Sequence, residues 1–135
     1  MLRDIKYIVL HCTASSQSAT ISAILRYWKD DRGWKNPGYH FIIEANGNVV
    51  QLQPIEKPSN GVRGYNQSSI HVSYIGGKDG IDDRTNKQKI AMAAIVKVLH
   101  AVHPTAKILG HRDFPNVAKA CPSFEVKQFL KEINL

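Results

Sequence analysis

Residues 39–53 read YHFIIEANGNVVQLQ. Two apolar-rich runs flank Asn46-Gly47, the strongest short-range signal for a β-hairpin. An antiparallel pair is expected here. Upstream, residues 5–12 read as a buried strand, with Tyr7, Val9 and His11 on one face and Ile8, Leu10 and Cys12 on the other. Thr20 is placed to cap a helix in which Ile21, Ile24, Leu25 and Trp28 follow the i, i+3, i+4, i+7 pattern, and Gly33 ends it. Downstream, residues 54–69 form a long loop rich in Pro, Gly, Asn and Ser, of the kind that often carries function. IHVSYIGG, residues 70–77, is a further strand stopped by two glycines. Thr85 and Gln88 make a capping box for a helix with Met92, Ile95, Val96, Leu99 and Val102 along one stripe, closed by Pro104. KIL, residues 107–109, is a short strand ending at Gly110. Ser123 is placed to cap a last helix with the stripe Val126, Phe129, Leu130 and Ile133. The order is β-α-β-β-loop-β-α-β-loop-α. Strands alternating with helices and one hairpin predict an α/β fold, a single mixed β-sheet of about five strands with helices packed on it.

The 135 residues suit one domain over residues 1–135. No stretch is long and apolar enough to span a membrane, and no membrane partner is expected. The N-terminal MLRDIKYIVLHCTAS has an apolar run of only about four residues after Lys6, too short for a signal peptide. The expected location is the cytoplasm, until another system releases or exports the chain. Eighteen Lys and Arg against eleven Asp and Glu leave +7, which suits an anionic partner such as nucleic acid, anionic lipid or cell-wall polymer. The cations are scattered, with neither an aromatic RNA-binding signature nor a zinc-finger spacing, so nucleic acid is not expected as a partner. A monomer is expected. Cys12 and Cys121 are too few for a secreted disulfide scaffold and read as reduced thiols, Cys12 as a small buried hydrophobe.

His11 closes the first strand, and His111 follows the last short strand. If these strands lie in one sheet and run the same way, both histidines emerge at one edge. The loop carrying Cys121 can then fold back to meet them. Two imidazoles and a thiolate suit zinc, and three protein ligands leave a fourth position open, as in catalytic zinc sites that activate water near neutral pH. Copper is the weaker alternative, because a His2Cys copper site usually wants an axial ligand. Without HExxH or CxxC, the spacing also allows an ordinary strand-end histidine and an ordinary loop histidine.

The segments IVLHCTAS, GWKNPGYHFII, NGNVVQ, GYNQSSIHVSYIGG, GHRDF and KACPSF, in this order, resemble the zinc-dependent N-acetylmuramoyl-L-alanine amidases of the amidase-2 type. That group includes phage amidase-type lysozymes and is related to peptidoglycan recognition proteins. The likeness runs from about residue 5 to residue 130, and GYHFII and KACPSF are closest to the phage branch. The resemblance implies one Zn2+ per chain held by His11, His111 and Cys121, with Tyr39 beside it and Lys119 completing the catalytic set. It implies a peptidoglycan or muropeptide substrate, cut at the amide between N-acetylmuramic acid and L-alanine, in cell-wall lysis of the phage or prophage kind. A non-catalytic peptidoglycan-binding module and a cytoplasmic muropeptide-recycling amidase are the alternatives. Members of the recognition branch that lose the cysteine bind without cutting, so Cys121 favours catalysis. One departure stands out: many relatives carry a histidine in a short His-Ala element before GYN, where this chain has Gly61-Val62. Asn60, Arg63 and Asn66 are candidates for binding the stem peptide. His40, His71, His100 and His103 are read as structural.

Overall fold

The computed structural model describes residues 3–135. Its strands are β1 (Tyr7–Cys12), β2 (Phe41–Ile43), β3 (Val49–Gln51), β4 (Ser69–Tyr74) and β5 (Lys107–Gly110). They form one sheet in the order β3-β2-β4-β1-β5. Interior β1 runs parallel to both β4 and β5, and β2 runs parallel to β4. Only β3 is antiparallel, paired to β2 through the hairpin. The mixed five-stranded sheet expected from the sequence is therefore present. The turn differs in detail. Glu44 N–H donates to Asn48 O at 2.9 Å, so three residues connect the strands, and of Asn46 and Gly47 only Gly47 takes a positive φ, +86°. A left-handed glycine closing a three-residue loop keeps the flanking strands in twist.

The two faces of the sheet are covered differently. Ile8, Leu10, Ile70 and Val72, each 0% exposed, point to one face. Helices α2 (Asn86–Val102) and α3 (Val126–Glu132) pack there through Met92, Val96, Leu99, Val126 and Phe129. Each such aliphatic side chain contributes roughly 1.5–3 kcal/mol by leaving water. The other face carries a smaller cluster of Val9, Val62 and Phe114, flanked by Tyr7, Tyr65, Leu109 and Val117. Among the described residues no α-helix covers this cluster; segments 54–68 and 111–120 do.

The capping box of α2 is formed as expected: Thr85 Oγ1 accepts from Gln88 N, and Gln88 Oε1 accepts from Thr85 N, both at 3.0 Å. Gln88 also donates to Ile43 O and Ile75 O, so this buried side chain ties the helix start to the ends of β2 and β4. Three expectations need correction. Val102 is 66% exposed, because α2 ends there and its stripe has already left the sheet. Ser123 does not cap α3, whose N-cap is Glu125 without a side-chain bond; Ser123 instead points into the core and donates to Gly77 O. Helix α1 (Ile21–Arg26) buries none of its residues, and Leu25 is 40% exposed. Thr20 does cap it, accepting from Ala23 N at 3.1 Å. Past Arg26 the chain widens into a π turn, with Arg32 N–H reaching Tyr27 O, and this carries Trp28 inward against Gly38. A Cβ on Gly38 would lie 2.8 Å from the Trp28 ring, so glycine is required at that contact.

His40, just before β2, is 0% exposed. Its Nδ1 accepts from His71 N at 3.0 Å, and its Nε2 lies 2.7 Å from Lys57 O. Burial lowers its pKa to about 4, against the bond to Lys57 O and helped by the Arg3 charge. Between pH 6.5 and 4 the unfolded imidazole binds a proton that the folded one refuses, so folding stability must fall as pH falls through that window. By pH 4.5 this costs roughly 2–3 kcal/mol of folding stability relative to neutral pH. The urea midpoint of metal-free protein should drop between pH 7 and 4.5, and drop less in His40→Asn. Equal slopes in the two proteins would show that His40 titrates without penalty.

Candidate active site

The carboxyl ends of parallel strands β1 and β5 lie side by side, with Leu10 opposite Gly110. His11 is the next residue on β1 and is 1% exposed. His111 directly follows β5 and opens a 3-10 turn, whose Asp113 carboxylate accepts from Gly110 N at 2.8 Å. The later loop is pulled back by Arg112 N–H donating to Cys121 O and by Cys12 N–H donating to Cys121 Sγ at 3.2 Å. One ligand atom from each of His11, His111 and Cys121 lies within 4.8 Å of the others. His11 turns Nδ1 toward Cys121 Sγ, 3.8 Å away, and its ring centroid is 4.9 Å from that of His111.

These groups are suited to a soft divalent cation. Burial, then the neighbouring His71 and His111, hold the His11 pKa well below its usual value. Burial, then Lys119, lowers that of His111 to about 4. Both imidazoles are neutral at pH 7 and keep a lone pair for a metal. Cys12 and Cys121 share a hydrogen bond, which favours ionising Cys12 and pushes the Cys121 thiol up; burial pushes Cys121 further in that direction. A cation held among the three ligand atoms would reverse this order, since a coordinated thiol is deprotonated outright. The Cys12 N–H is already aimed at the sulfur that would carry the charge. Two imidazoles and one thiolate form a donor set that fits zinc.

The residues expected around this cluster are distributed as follows. Tyr39 packs 5.0 Å, ring to ring, from His11 and edge-on to Trp28, with its hydroxyl donating to Cys12 O at 3.1 Å. Burial, then the charge on Cys121, raises its pKa, so it remains a phenol at neutral pH. Lys119 is exposed and stands at the junction of two cavities. The inner one, about 280 Å3, reaches His11, Tyr39, His111 and Cys121. The outer cleft, about 750 Å3, contains Arg32, Arg63 and Lys119 in its lining and, among the described residues, no carboxylate. Asn60 and Arg63 line this cleft as candidates for substrate contact. Asn66 also lines it, but its Oδ1 is taken up internally by Gly61 N and Val62 N. His100 and His103 lie at the far end of α2, away from the cluster.

His71 is the residue missed in the sequence. It is 0% exposed, and its Nδ1 lies 2.8 Å from His11 Nε2. The signal was available in the alternation of SIHVSY, residues 69–74, which gives β4 an apolar face and a Ser-His-Ser face. Only the register, Val9 opposite His71, places that second face beside His11.

Nitrogen and sulfur donors gathered at strand ends, with a cleft opening beside them, form a cluster able to hold a metal, as enzymes of this metal-centred kind have. Residues 1–124 match the family model described as N-acetylmuramoyl-L-alanine amidase, Amidase_2. The chain belongs to this family. It is 32% identical over 127 residues to an endolysin of Enterobacteria phage K11, covering 90% of this chain and 83% of that protein. It is 31% identical over 136 residues to the endolysin of Escherichia phage T7, covering 95% and 87%. Among solved structures, the N-acetylmuramoyl-L-alanine amidase LysC of Clostridium intestinale superposes with a TM-score of 0.85 at 21% identity, covering 98% of this chain and 87% of that one, which shows the shared fold.

Proposed function

We propose that this amidase hydrolyses the bond between N-acetylmuramic acid and L-alanine of peptidoglycan with one zinc ion held by His11, His111 and Cys121. The observation that carries the reading is the convergence of those three ligand atoms within 4.8 Å at the mouth of a cleft. When bound, zinc supplies Lewis-acid polarisation of the amide carbonyl and a water acidic enough to react at neutral pH. The protein's own groups supply the rest. Arg32, Arg63 and Lys119, with no carboxylate in the cleft lining, favour a substrate carrying the carboxylates of a stem peptide. Lys119 is proposed to place its ammonium against the oxygen that becomes negative as the amide carbon turns tetrahedral. Tyr39, kept protonated by burial, is proposed to offer its O–H to the same charge, exchanging its present acceptor, Cys12 O. As with its phage endolysin relatives, the working setting proposed is the bacterial wall during lysis.

Metal removal tests the reading directly. Zinc-loaded protein should release stem peptides with a new L-alanine amino terminus and leave the glycan strands intact. A chelator should abolish release, and zinc should restore it. Undiminished turnover after thorough metal removal would overturn the metal-centred chemistry. New reducing sugar ends in place of free peptides would assign the activity to a different bond.

A further inference from the structure

A metal-ligating imidazole must present a lone pair at one nitrogen, and the partner of its other nitrogen decides which one. For His11 that partner is a second imidazole. His11 Nε2 lies 2.8 Å from His71 Nδ1, and His71 Nε2 lies 2.9 Å from Asn66 Oδ1. The chain of donors can be worked out from its far end. Asn66 Oδ1 also faces Gly61 N at 3.1 Å and Val62 N at 2.8 Å. Backbone amides only donate, so the atom they converge on is an acceptor oxygen. His71 Nε2 must then carry the hydrogen it gives to Asn66. A neutral imidazole has one N–H, so His71 Nδ1 accepts, and His11 Nε2 is the donor to it. His11 is thereby left with its lone pair at Nδ1, the atom turned toward Cys121 Sγ.

We propose that Asn66 and His71 form a relay that fixes His11 in the tautomer a metal needs, making His71 a positioning residue for the metal centre. Gly61 is the steric condition for it. A Cβ at residue 61 would overlap the His71 ring, so the loop can close over that ring only where residue 61 has no side chain. The ring is held from behind as well. The backbone N–H of His71 donates to His40 Nδ1, and the two rings stack at 6.0 Å and 16°. His40 Nδ1 also receives Ser59 Oγ at 3.1 Å, and its Nε2 is left to donate to Lys57 O. The departure at Gly61-Val62 noted in the sequence thus coincides with an imidazole entering from β4. Behind the ligand, His71 is thus held by the Asn66 amide and by His40, each with hydrogen-bond partners.

This inference rests on the metal site proposed above, so its test is arranged to separate the two. Nitrogen-15 imidazole spectra of the metal-free parent should show the hydrogen on Nε2 in both His11 and His71; a hydrogen on His11 Nδ1 would overturn the relay whatever the protein binds. Zinc affinity is then measured by competition with a chromophoric chelator. His71→Leu, which keeps volume but offers no acceptor, should bind zinc roughly 10–100-fold more weakly than the parent. His71→Asn, whose Oδ1 can stand in for Nδ1, should recover most of that loss. A folded His71→Leu that binds zinc as tightly as the parent would overturn the positioning role. A parent that shows the expected tautomers but binds no zinc would overturn the metal reading and leave the hydrogen-bond chain intact. If His71→Leu does not fold, the parent spectra alone decide.

Discussion

Cys121→Ser should abolish peptide release and weaken zinc binding at least roughly a hundredfold, more than the loss of an outer hydrogen-bond partner costs. A serine hydroxyl does not ionise near neutral pH, so the site would offer two neutral imidazoles and no anion to a dication. Fold damage is not the cause to expect. Serine is close to cysteine in size, and Cys121 is 9% exposed at the margin of the helix-covered core. The melting midpoint of the metal-free variant should therefore stay near that of the parent. Cys12 provides the internal contrast. Its sulfur packs against Gly77 and sits 3.6 Å from Ser123 Oγ, and it is absent from the three-ligand cluster. Cys12→Ala should accordingly keep zinc. Turnover by Cys121→Ser within tenfold of the parent would remove the thiolate from the ligand set.

Lys119→Ala and Tyr39→Phe should each lower kcat by roughly a hundred- to a thousandfold, the range found when one donor to a developing oxyanion is removed. Neither side chain is one of the three proposed ligands, so both variants should bind zinc like the parent. Tyr39→Phe removes only the hydroxyl and keeps the ring packed against Trp28 and His11. Its effect should fall on kcat, with KM nearly unchanged, because the donor is needed when charge develops and not before. Lys119 lines both cavities, so Lys119→Ala should raise KM as well for substrates carrying a free stem-peptide carboxylate. Normal kcat in Tyr39→Phe would assign the phenol to packing alone.

Much of this architecture was legible in local chemistry. Asn46-Gly47, the Thr85/Gln88 capping box and the alternation in β1 each act over a few residues, and all of them appear in the fold. His11, His111 and Cys121 could be linked because two are tied to strand ends and the third to a nearby loop. What stayed hidden depended on register and on contacts between distant segments. The role of His71 follows from the pairing of β4 beside β1, which sets it sixty residues along the chain from its partner His11, and from the missing side chain at Gly61, which makes room for its ring. Ser123 has the right residue type and place for a cap, yet the tether to Gly77 O takes its hydroxyl. The exposure of Leu25 reflects the widening of the chain after Arg26, which a regular 3.6-residue period does not anticipate.

The unequal covering of the sheet bears on how such a protein can diversify. The residues proposed to contact substrate and metal come from strand termini and loops, while the helices packed on one face of the sheet supply most of the apolar burial. Recognition segments could be exchanged wholesale, as cassettes, to redirect the enzyme toward walls of different composition, with the structural cost confined to a handful of residues such as Val62 and Phe114. Such a graft must respect the anchors of the recognition loop on His40 and His71, and above all the pair of positions 61 and 71, which would have to travel together.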